Sequence, residues 1–359
     1  PRVEVRGRDP ALAIDLPAWC RARGHAIAAL DTHDAITTAT IDRAATSRWI
    51  SAERAGSIDA VVDRAPATWG LAARGALVEA GGPAPSFPLA DRSIVWADEA
   101  ARLYAQATAA QWDPATAIPW RAPLDHPPEI EDAIVQIMTF LVENETAALV
   151  VPARFLAQVH PHFREVMQLL AVQVADEARH VEVFTRRATL RRATLGTSAA
   201  AGRASLDTLV REPDFAIASF LLNVLGEGSF LPLLHFIRDH APDDATATVA
   251  RLAAQDEARH VAFALAHLAH HADREQLRAA VERRHAVLAS TAGLNEDVFD
   301  ALVLLAAGSW EPPAIKRGHA AVVALTADMD RARRAHLERL GFSSADAETL
   351  SSLHTRNFM

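Results

Sequence analysis

Cysteine and tyrosine each occur only once in the 359 residues, as Cys20 and Tyr104. A single cysteine excludes an internal disulfide framework and a cysteine-rich zinc or iron–sulfur site. It suits a reducing compartment, so a cytoplasmic location is expected. Aromatic residues make up 6% of the chain, whereas half of its residues are hydrophobic. This composition favours a mainly helical protein with a sizeable core.

Basic residues are fewer than acidic ones, 36 against 45, which gives a net charge of −9 and an isoelectric point near 6.0. An acidic chain is not expected to bind nucleic acid or an anionic membrane surface. No run is predicted to be long and apolar enough to span a bilayer, and no signal peptide is expected. The sequence begins at Pro1 rather than methionine, so the native chain is expected to start earlier.

A pentapeptide, Asp-Glu-Ala-Arg-His, is present twice, at 176–180 and 256–260. Both copies lie in alanine-rich, apolar runs that read as helix. Positions three apart share a helix face, so each copy presents a carboxylate and an imidazole side by side. Each pentapeptide therefore contains a Glu-x-x-His pair that can ligate one metal ion through a carboxylate and an imidazole. Two copies predict a site for two metals.

Each copy follows an upstream glutamate, 32 residues earlier in the first half and 30 residues earlier in the second. These glutamates are Glu145 and Glu227. The midpoint of each interval is a proline in a polar stretch, Pro161 or Pro242. One helix runs to the turn, and the next helix returns by a similar number of residues. The glutamate of the first helix therefore lies at the same height as the Glu-x-x-His pair of the second. Four helices with this pattern are typical of two-metal carboxylate bundles.

Periodicity indicates which glutamates face the core. Glu145 is in phase with an apolar stripe at Ile134, Met138, Leu141 and Ala148, whereas Glu143 falls near the opposite face and is kept as the fallback. Burying four carboxylates is prohibitive without cations, and two divalent metals would balance them. The alternative is that these acids are solvent-facing and pair with arginines; the duplicated, in-phase pattern disfavours it. His160 and His162, which flank Pro161, are expected to be exposed turn residues.

The chain is predicted to contain two parts joined by a linker at 81–90, which is rich in glycine and proline. Residues 1–80 are expected to form a small N-terminal α/β segment, strand–helix–strand over 2–30, plus a helical connection at 57–80 with a break at Pro66. Residues 91–359 are expected to be helical. The predicted bundle helices are 128–158, 162–195, 213–239 and 243–271, with extra C-terminal helices at 273–290, 295–308, 313–340 and 343–354.

The second part resembles the ferritin-like non-haem di-iron superfamily, and specifically its oxygenase and oxidase branches. The resemblance covers roughly residues 91–275 and rests on the two Asp-Glu-x-Arg-His runs and the upstream glutamates. It implies a mainly α fold, a ferritin-like four-helix bundle. It also implies that two iron ions, or manganese or a mixed Fe/Mn pair, are ligated by six residues that match the family's: Glu145, Glu177, His180, Glu227, Glu257 and His260.

The resemblance also implies roles for the other members of each pentapeptide. Asp256 is expected to accept the second ring N–H of His180, and Asp176 that of His260. Arg179 and Arg259 would neutralise the two aspartates. The alternative is that both arginine–aspartate pairs are ordinary surface bridges between positions three apart.

Residues 1–30 resemble the second half of a TusA-family sulfur-carrier domain. The Cys-Pro motif of that family belongs to its first half and is absent here. Cys20 lies on the predicted helix and does not match the family's working cysteine. A small α/β appendage without sulfur chemistry is the alternative.

Three branches of the superfamily bear on the function. A ribonucleotide reductase subunit is disfavoured, because Tyr104 lies outside the four helices and Phe184 stands where the radical tyrosine is expected. The absence of Cys-x-x-Cys excludes a standard rubrerythrin. We predict an oxygenase or oxidase that activates O₂ to oxidise a small organic substrate; the alternative is a ferritin- or rubrerythrin-like protein that oxidises iron or reduces peroxide.

Within the oxygenase branch, relatives that are N-oxygenases carry an extra histidine where this chain has Ala253, so hydroxylation, desaturation and rearrangement stay open beside N-oxygenation. No flavin or haem motif is present, so a reductase or ferredoxin is expected to supply electrons. A homodimer is also expected. Residues that would line the substrate pocket are Leu141, Ala148, Gln173, Phe184 and Val224.

Overall fold

The structure, a computed structural model, describes residues 1–44, 49, 51–271, 273–289 and 296–353. The chain divides into two compact units. The first comprises Pro1–Phe87 together with the short segment His160–His162, and the second comprises Pro88–Val159 and Phe163–Met359.

The first unit contains a three-stranded antiparallel sheet and one helix. Strand β3 (Ile36–Asp42) lies between β1 (Arg2–Gly7) and β2 (Ala26–His33), and α1 (Leu12–Arg23) connects the two outer strands. Alternate residues of β3 are buried, as a strand with one covered face requires. Cys20 is buried on α1, and burial raises the pKa of its thiol. The resemblance to a sulfur carrier stays a prediction.

The helical connection predicted at 57–80 is wrong. The structure has a two-stranded sheet there, β4 (Glu53–Arg54) with β5 (Leu77–Val78), and a single 3₁₀ turn at Ala67–Trp69. Gly70 and Gly75 have positive φ values of 49° and 85°, which an α-helix does not admit. Pro66 has an extended backbone. Together these residues divide the segment into turns.

The exposure predicted for His160 and His162 is also wrong, since both are buried. The Nε2 atom of His162 accepts a hydrogen bond from the backbone N–H of Val62 at 3.1 Å. The ring of His162 packs against Trp69, and that of His160 against Phe87, each with 5.2 Å between centroids. Residues between 57 and 87 therefore cover the turn at His160–His162, although its local sequence predicts an exposed turn.

The second unit is built from helices. Its elements are α2 (Arg92–Val95), α3 (Ala100–Ala109), α4 (Pro128–Leu156), α5 (Arg164–Ala188), α6 (Ala200–Arg211), α7 (Phe215–Ser219), α8 (Gly228–Asp239), α9 (Asp244–His271), α10 (Arg274–Ala289), α11 (Glu296–Ala307), α12 (Pro312–Arg339) and α13 (Ser344–Ser352). Helix α4 packs against α5, and α8 against α9, each pair joined by a short turn. The crossover from α5 to α7 contains α6.

Apolar residues of α4, α5, α8 and α9 form one core with the extra helices α11 and α12. Helix α3 packs against α5 and α9. The predicted fold class is confirmed: a mainly α, ferritin-like four-helix bundle with additional C-terminal helices and a small N-terminal α/β segment. The bundle helices have nearly the predicted bounds, although α5 ends at Ala188 and not near residue 195.

The third bundle helix is not a continuous α-helix. Between α7 and α8, residues Phe220–Glu227 form a π-helical segment, which the sequence analysis did not predict. The wider turn alters the phase of the helix, so Leu231 is only half-buried, whereas Leu233 and Leu234 are fully buried. Such segments are frequent at functional sites.

A buried ion network holds one end of the bundle. The guanidinium of Arg187 on α5 donates to Glu131 on α4 at 3.0 and 3.1 Å and to Asp243 at 2.7 Å. Thr246 accepts from Arg187 Nε at 2.6 Å, and the Nε2 atom of His126 lies 2.6 Å from Glu131. Two acids and one buried arginine thereby tie α4, α5 and α9 together.

The expectation that no run is long and apolar enough to cross a membrane needs correction. Helix α4 and the segment Phe215–Asp239 both meet that test by length and composition. Within the bundle, 67% and 83% of their most apolar windows are buried. Their hydrophobicity therefore reflects packing on several sides by neighbouring helices.

Candidate metal centre

The six predicted ligands come together in the middle of the bundle. Each of the four bundle helices contributes, and all six side chains are at most 4% exposed. They are Glu145 on α4, Glu177 and His180 on α5, Glu227 at the end of the π-helical segment, and Glu257 and His260 on α9.

The Nδ1 atom of His180 faces three carboxylates. It lies 3.4 Å from Glu145 Oε2, 3.2 Å from Glu177 Oε2 and 3.2 Å from Glu257 Oε1. Four ligand atoms of these residues lie within 4.8 Å of one another, so the group can hold one metal ion.

The Nδ1 atom of His260 has the equivalent surroundings in the other half. It lies 3.0 Å from Glu177 Oε1, 3.3 Å from Glu257 Oε2 and 3.8 Å from Glu227 Oε2. These four residues also have ligand atoms within 4.8 Å of one another and form a second group.

Two carboxylates belong to both groups. Glu177 directs Oε2 toward His180 and Oε1 toward His260, and Glu257 directs Oε1 toward His180 and Oε2 toward His260. Glu145 and Glu227 each belong to one group only. The arrangement is that of two bridging and two terminal carboxylates with one imidazole for each metal position.

The donor set fits two divalent cations. The Oε1 atoms of Glu145, Glu177 and Glu257 are buried and have no hydrogen-bond partner among the described residues. A buried carboxylate oxygen without a donor is costly, and a metal ion satisfies it. Four carboxylates balance two divalent ions, so the predicted capacity for two metals agrees with the structure. Mixed oxygen and nitrogen ligands suit iron and manganese.

Without cations, the cluster is strained electrostatically. Burial, followed by the charge of Glu177, raises the pKa of Glu145 to about 8. Burial and the charge of Glu257 raise the pKa of Glu227 well above its usual range. The surrounding carboxylates outweigh burial and raise the pKa values of His180 and His260.

The second nitrogen of each imidazole faces the aspartate of the opposite pentapeptide. His180 Nε2 lies 3.2 Å from Asp256 Oδ2, and His260 Nε2 lies 3.3 Å from Asp176 Oδ2. Although burial opposes ionisation, the pKa of each aspartate is lowered, chiefly by the facing histidine. Each aspartate thus fixes the ring so that Nδ1 faces the carboxylates.

Two arginines and a tryptophan complete this polar layer. Arg179 contacts Asp176 and lies 3.1 Å from Asp256, whereas Arg259 contacts Asp256 and lies 3.6 Å from Asp176. The indole Nε1–H of Trp112 donates to Asp256 at 2.8 Å, and the Arg179 guanidinium lies 4.9 Å from the Trp112 ring centroid. The two pentapeptides therefore share one charge network and do not form separate surface bridges.

Sequence reasoning missed three contributors to this centre. The first two, Trp112 and Gln111, precede α4, and Gln111 donates to Asp176 at 3.1 Å. The third, Asn223, lies in the π-helical segment and donates to Glu227 Oε2 at 2.7 Å. The spacing of four residues from Asn223 to Glu227 is a usable signal, whereas nothing local to Trp112 or Gln111 indicates their partners.

Of the residues predicted to line a substrate pocket, some line cavities and the others are packed in the interior. Ala148 lines a cavity of about 20 Å³ that also contacts Glu145 and Glu227. Gln173 lines a second, smaller cavity and its amide lies 3.4 Å from Glu227 Oε1. Leu141 and Phe184 belong to the hydrophobic core, and Val224 is fully buried.

Glu143, the fallback ligand, is half-buried and belongs to neither four-residue group. His267, two turns beyond His260, is buried, and its Nδ1 lies 3.2 Å from the backbone carbonyl of Trp96. It packs in the wall of the bundle.

Comparison with known proteins gives similarities of fold at low sequence identity. One solved structure is a valine-to-leucine variant of an R2-like ligand-binding oxidase with an aerobically reconstituted Mn/Fe cofactor; it has 16% identity and a TM-score of 0.46, and the match covers 73% of this chain and 95% of that one. Another is an R2-like ligand-binding oxidase from Sulfolobus acidocaldarius, with 16% identity, a TM-score of 0.44 and coverage of 64% and 89%. A third, from Synechococcus, has aldehyde deformylating oxidase activity, with 18% identity, a TM-score of 0.41 and coverage of 62% and 96%.

No protein-family model and no curated protein matches the sequence.

Proposed function

We propose that this protein is a dinuclear non-haem metal enzyme that uses O₂ to oxidise a small organic substrate. The observation that carries the proposal is the pair of shared carboxylates, Glu177 and Glu257, each with one oxygen toward either histidine. Iron is the proposed metal, with manganese or a mixed Fe/Mn pair fitting the same ligands. When bound, such a pair supplies the electrons and the coordination positions that O₂ reduction requires.

The protein's own groups would prepare this chemistry in three ways. Four buried glutamates supply negative charge that two divalent cations balance. The aspartates Asp176 and Asp256 hold the N–H of the histidine rings, so that Nδ1 stays deprotonated toward the metals. The apolar core around the site excludes water, which protects reactive oxygen species from side reactions.

Metal analysis tests the proposal on the whole protein. Purified, reconstituted wild-type chain is expected to hold about two metal ions. Glu177→Gln removes charge from a carboxylate common to both groups, so it is expected to lose most of both ions. Glu182→Gln makes the same change on the exposed side of α5 and is expected to keep both. One zinc ion per chain, or full loading of Glu177→Gln, would refute the assignment.

Reaction with O₂ separates an oxidase or oxygenase from a protein that stores iron. Reduced, metal-loaded protein is expected to consume O₂ with a transient visible absorption and then stop, because the substrate and a reductase or ferredoxin are needed for further turnovers. Continued iron uptake with mineral growth in a hollow multimer would instead support the ferritin-like alternative.

A further inference from the structure

A buried arginine faces the metal centre from outside the ligand set. Arg284 on α10 lines the same 20 Å³ cavity as Glu145 and Glu227, and its residue surface is only 8% exposed. Its guanidinium donates to the hydroxyl oxygens of Ser205 at 2.7 Å and Thr208 at 3.0 Å, both on α6. Its described hydrogen-bond partners are thus neutral.

Arg284 differs in this respect from Arg187, a buried arginine on α5 that contacts two carboxylates. Within the described residues, no carboxylate oxygen lies within 4.0 Å of the Arg284 guanidinium. Burial lowers the pKa of Arg284 to about 10, and no acid restores it. The side chain still remains a cation at neutral pH, and an unpaired buried charge is costly.

Metal loading leaves this charge without compensation. The four glutamates balance two divalent ions, while Asp176 and Asp256 balance Arg179 and Arg259. The imidazoles bind metals in their neutral form. In the loaded protein the cavity therefore has an excess of one positive charge, located at Arg284.

The rest of the cavity wall is mainly apolar. Its hydrophobic lining comprises Ala148, Leu206, Leu209, Leu221, Leu222 and Phe230. A volume of about 20 Å³ holds one water molecule or a molecule of similar size, so a larger substrate requires side chains to move. Leu206 on α6 and Gly226 in the π-helical segment are the half-buried residues of this lining, so the cavity lies nearest to solvent there.

We infer that Arg284 binds the carboxylate of a small organic acid whose apolar part occupies this cavity beside Glu145 and Glu227. Ser205 and Thr208 orient the guanidinium, and a single negative charge on the substrate neutralises it. The inference rests on the proposed function, because it names the substrate class of the same metal centre.

Paired probes that differ only in charge test this inference on the metal-loaded protein. Hexanoate with hexanamide, and benzoate with benzamide, are titrated calorimetrically. In the wild type each carboxylate is expected to bind roughly tenfold or more tightly than its amide. Arg284→Met is expected to reduce this ratio to about one, and Arg284→Lys to restore part of it.

Arg333→Met provides the matched control. Arg333 is also a buried arginine, it donates to Ser229 and Ser351, and it does not line this cavity. Its variant is expected to keep the wild-type ratio. If Arg284→Met does not fold, as judged by helicity, Ser205→Ala replaces it, with an expected ratio between those of the wild type and one.

The outcomes separate the two proposals. A ratio near one in wild-type protein that holds two metals would overturn the inference and leave the proposed function intact. If Arg284→Met keeps the wild-type ratio of carboxylate to amide affinity, the inference is also overturned, because the carboxylate would then bind the metals directly. Failure of the wild type to hold two metals would refute the proposed function itself.

Discussion

Loading the metal-free protein with two divalent ions should release more than one proton at pH 7. Two of the proton-binding groups are glutamates, since the pKa of Glu145 is about 8, and burial and the charge of Glu257 raise the pKa of Glu227 well above its usual range. The other two are His180 and His260, whose pKa values are raised by the facing carboxylates. At pH 7 a group with a pKa of about 8 is about nine-tenths protonated, so Glu145 alone contributes close to one proton.

The sign follows from competition between metal and protons. Because the metal-bound form excludes these protons, the metal affinity rises with pH, by up to about tenfold between pH 6 and 7 for each proton released. Above the pKa of about 8, Glu145 has already lost its proton and no longer contributes. The affinity should therefore become less dependent on pH there.

Calorimetric titration of the anaerobic, metal-free protein with Mn²⁺ measures this release. Repeating it in buffers of different ionisation enthalpy gives the number of protons. Glu145→Gln should release about one proton fewer, because the amide does not ionise. Glu143→Gln, two positions away on α4 and outside both groups, should release as many as the wild type. Release of one proton or none in the wild type would refute the reasoning.

Three other predictions concern the supports of the site. Arg187→Met should lower the free energy of unfolding by about 3–5 kcal/mol in urea titrations, because Glu131 and Asp243 are left buried and unpaired. The stability that these acids contribute should be present above about pH 4 and lost on acidification, since opposing charges outweigh burial and lower the pKa of each below its unfolded value; thermal unfolding at pH 3 to 7 measures this. Trp112→Phe removes the N–H that Asp256 accepts and should weaken Mn²⁺ binding by about 10- to 100-fold, with helicity unchanged.

The bundle could be predicted from the sequence because its signals are local and repeated. The spacing of Glu145 to the apolar residues of α4 favours it over Glu143 as a ligand. In the structure, Glu145 belongs to one of the two four-residue groups that can hold a metal ion, and Glu143 belongs to neither. Proline turns at the centre of each half set the heights of the ligands. Such patterns depend on helix geometry alone, so they can be interpreted without knowledge of the tertiary structure.

Other features depend on partners distant in sequence, and local patterns did not indicate them. His160 and His162 follow a turn pattern, but residues of the N-terminal unit bury them. Trp112 reaches Asp256 across 144 positions. The π-helical segment Phe220–Glu227 likewise has no local signal in the sequence.

The two halves of the centre are alike at the histidines and differ at the terminal glutamates. Glu227 accepts from the amide of Asn223 at 2.7 Å and lies 3.4 Å from that of Gln173. The Oε1 atom of Glu145 has no partner among the described residues. A carboxylate held by amide donors is less free to shift than one without them. The repeated pentapeptides therefore supply the two carboxylates common to both groups, while the unrepeated surroundings give amide donors to Glu227 and none to Glu145 among the described residues.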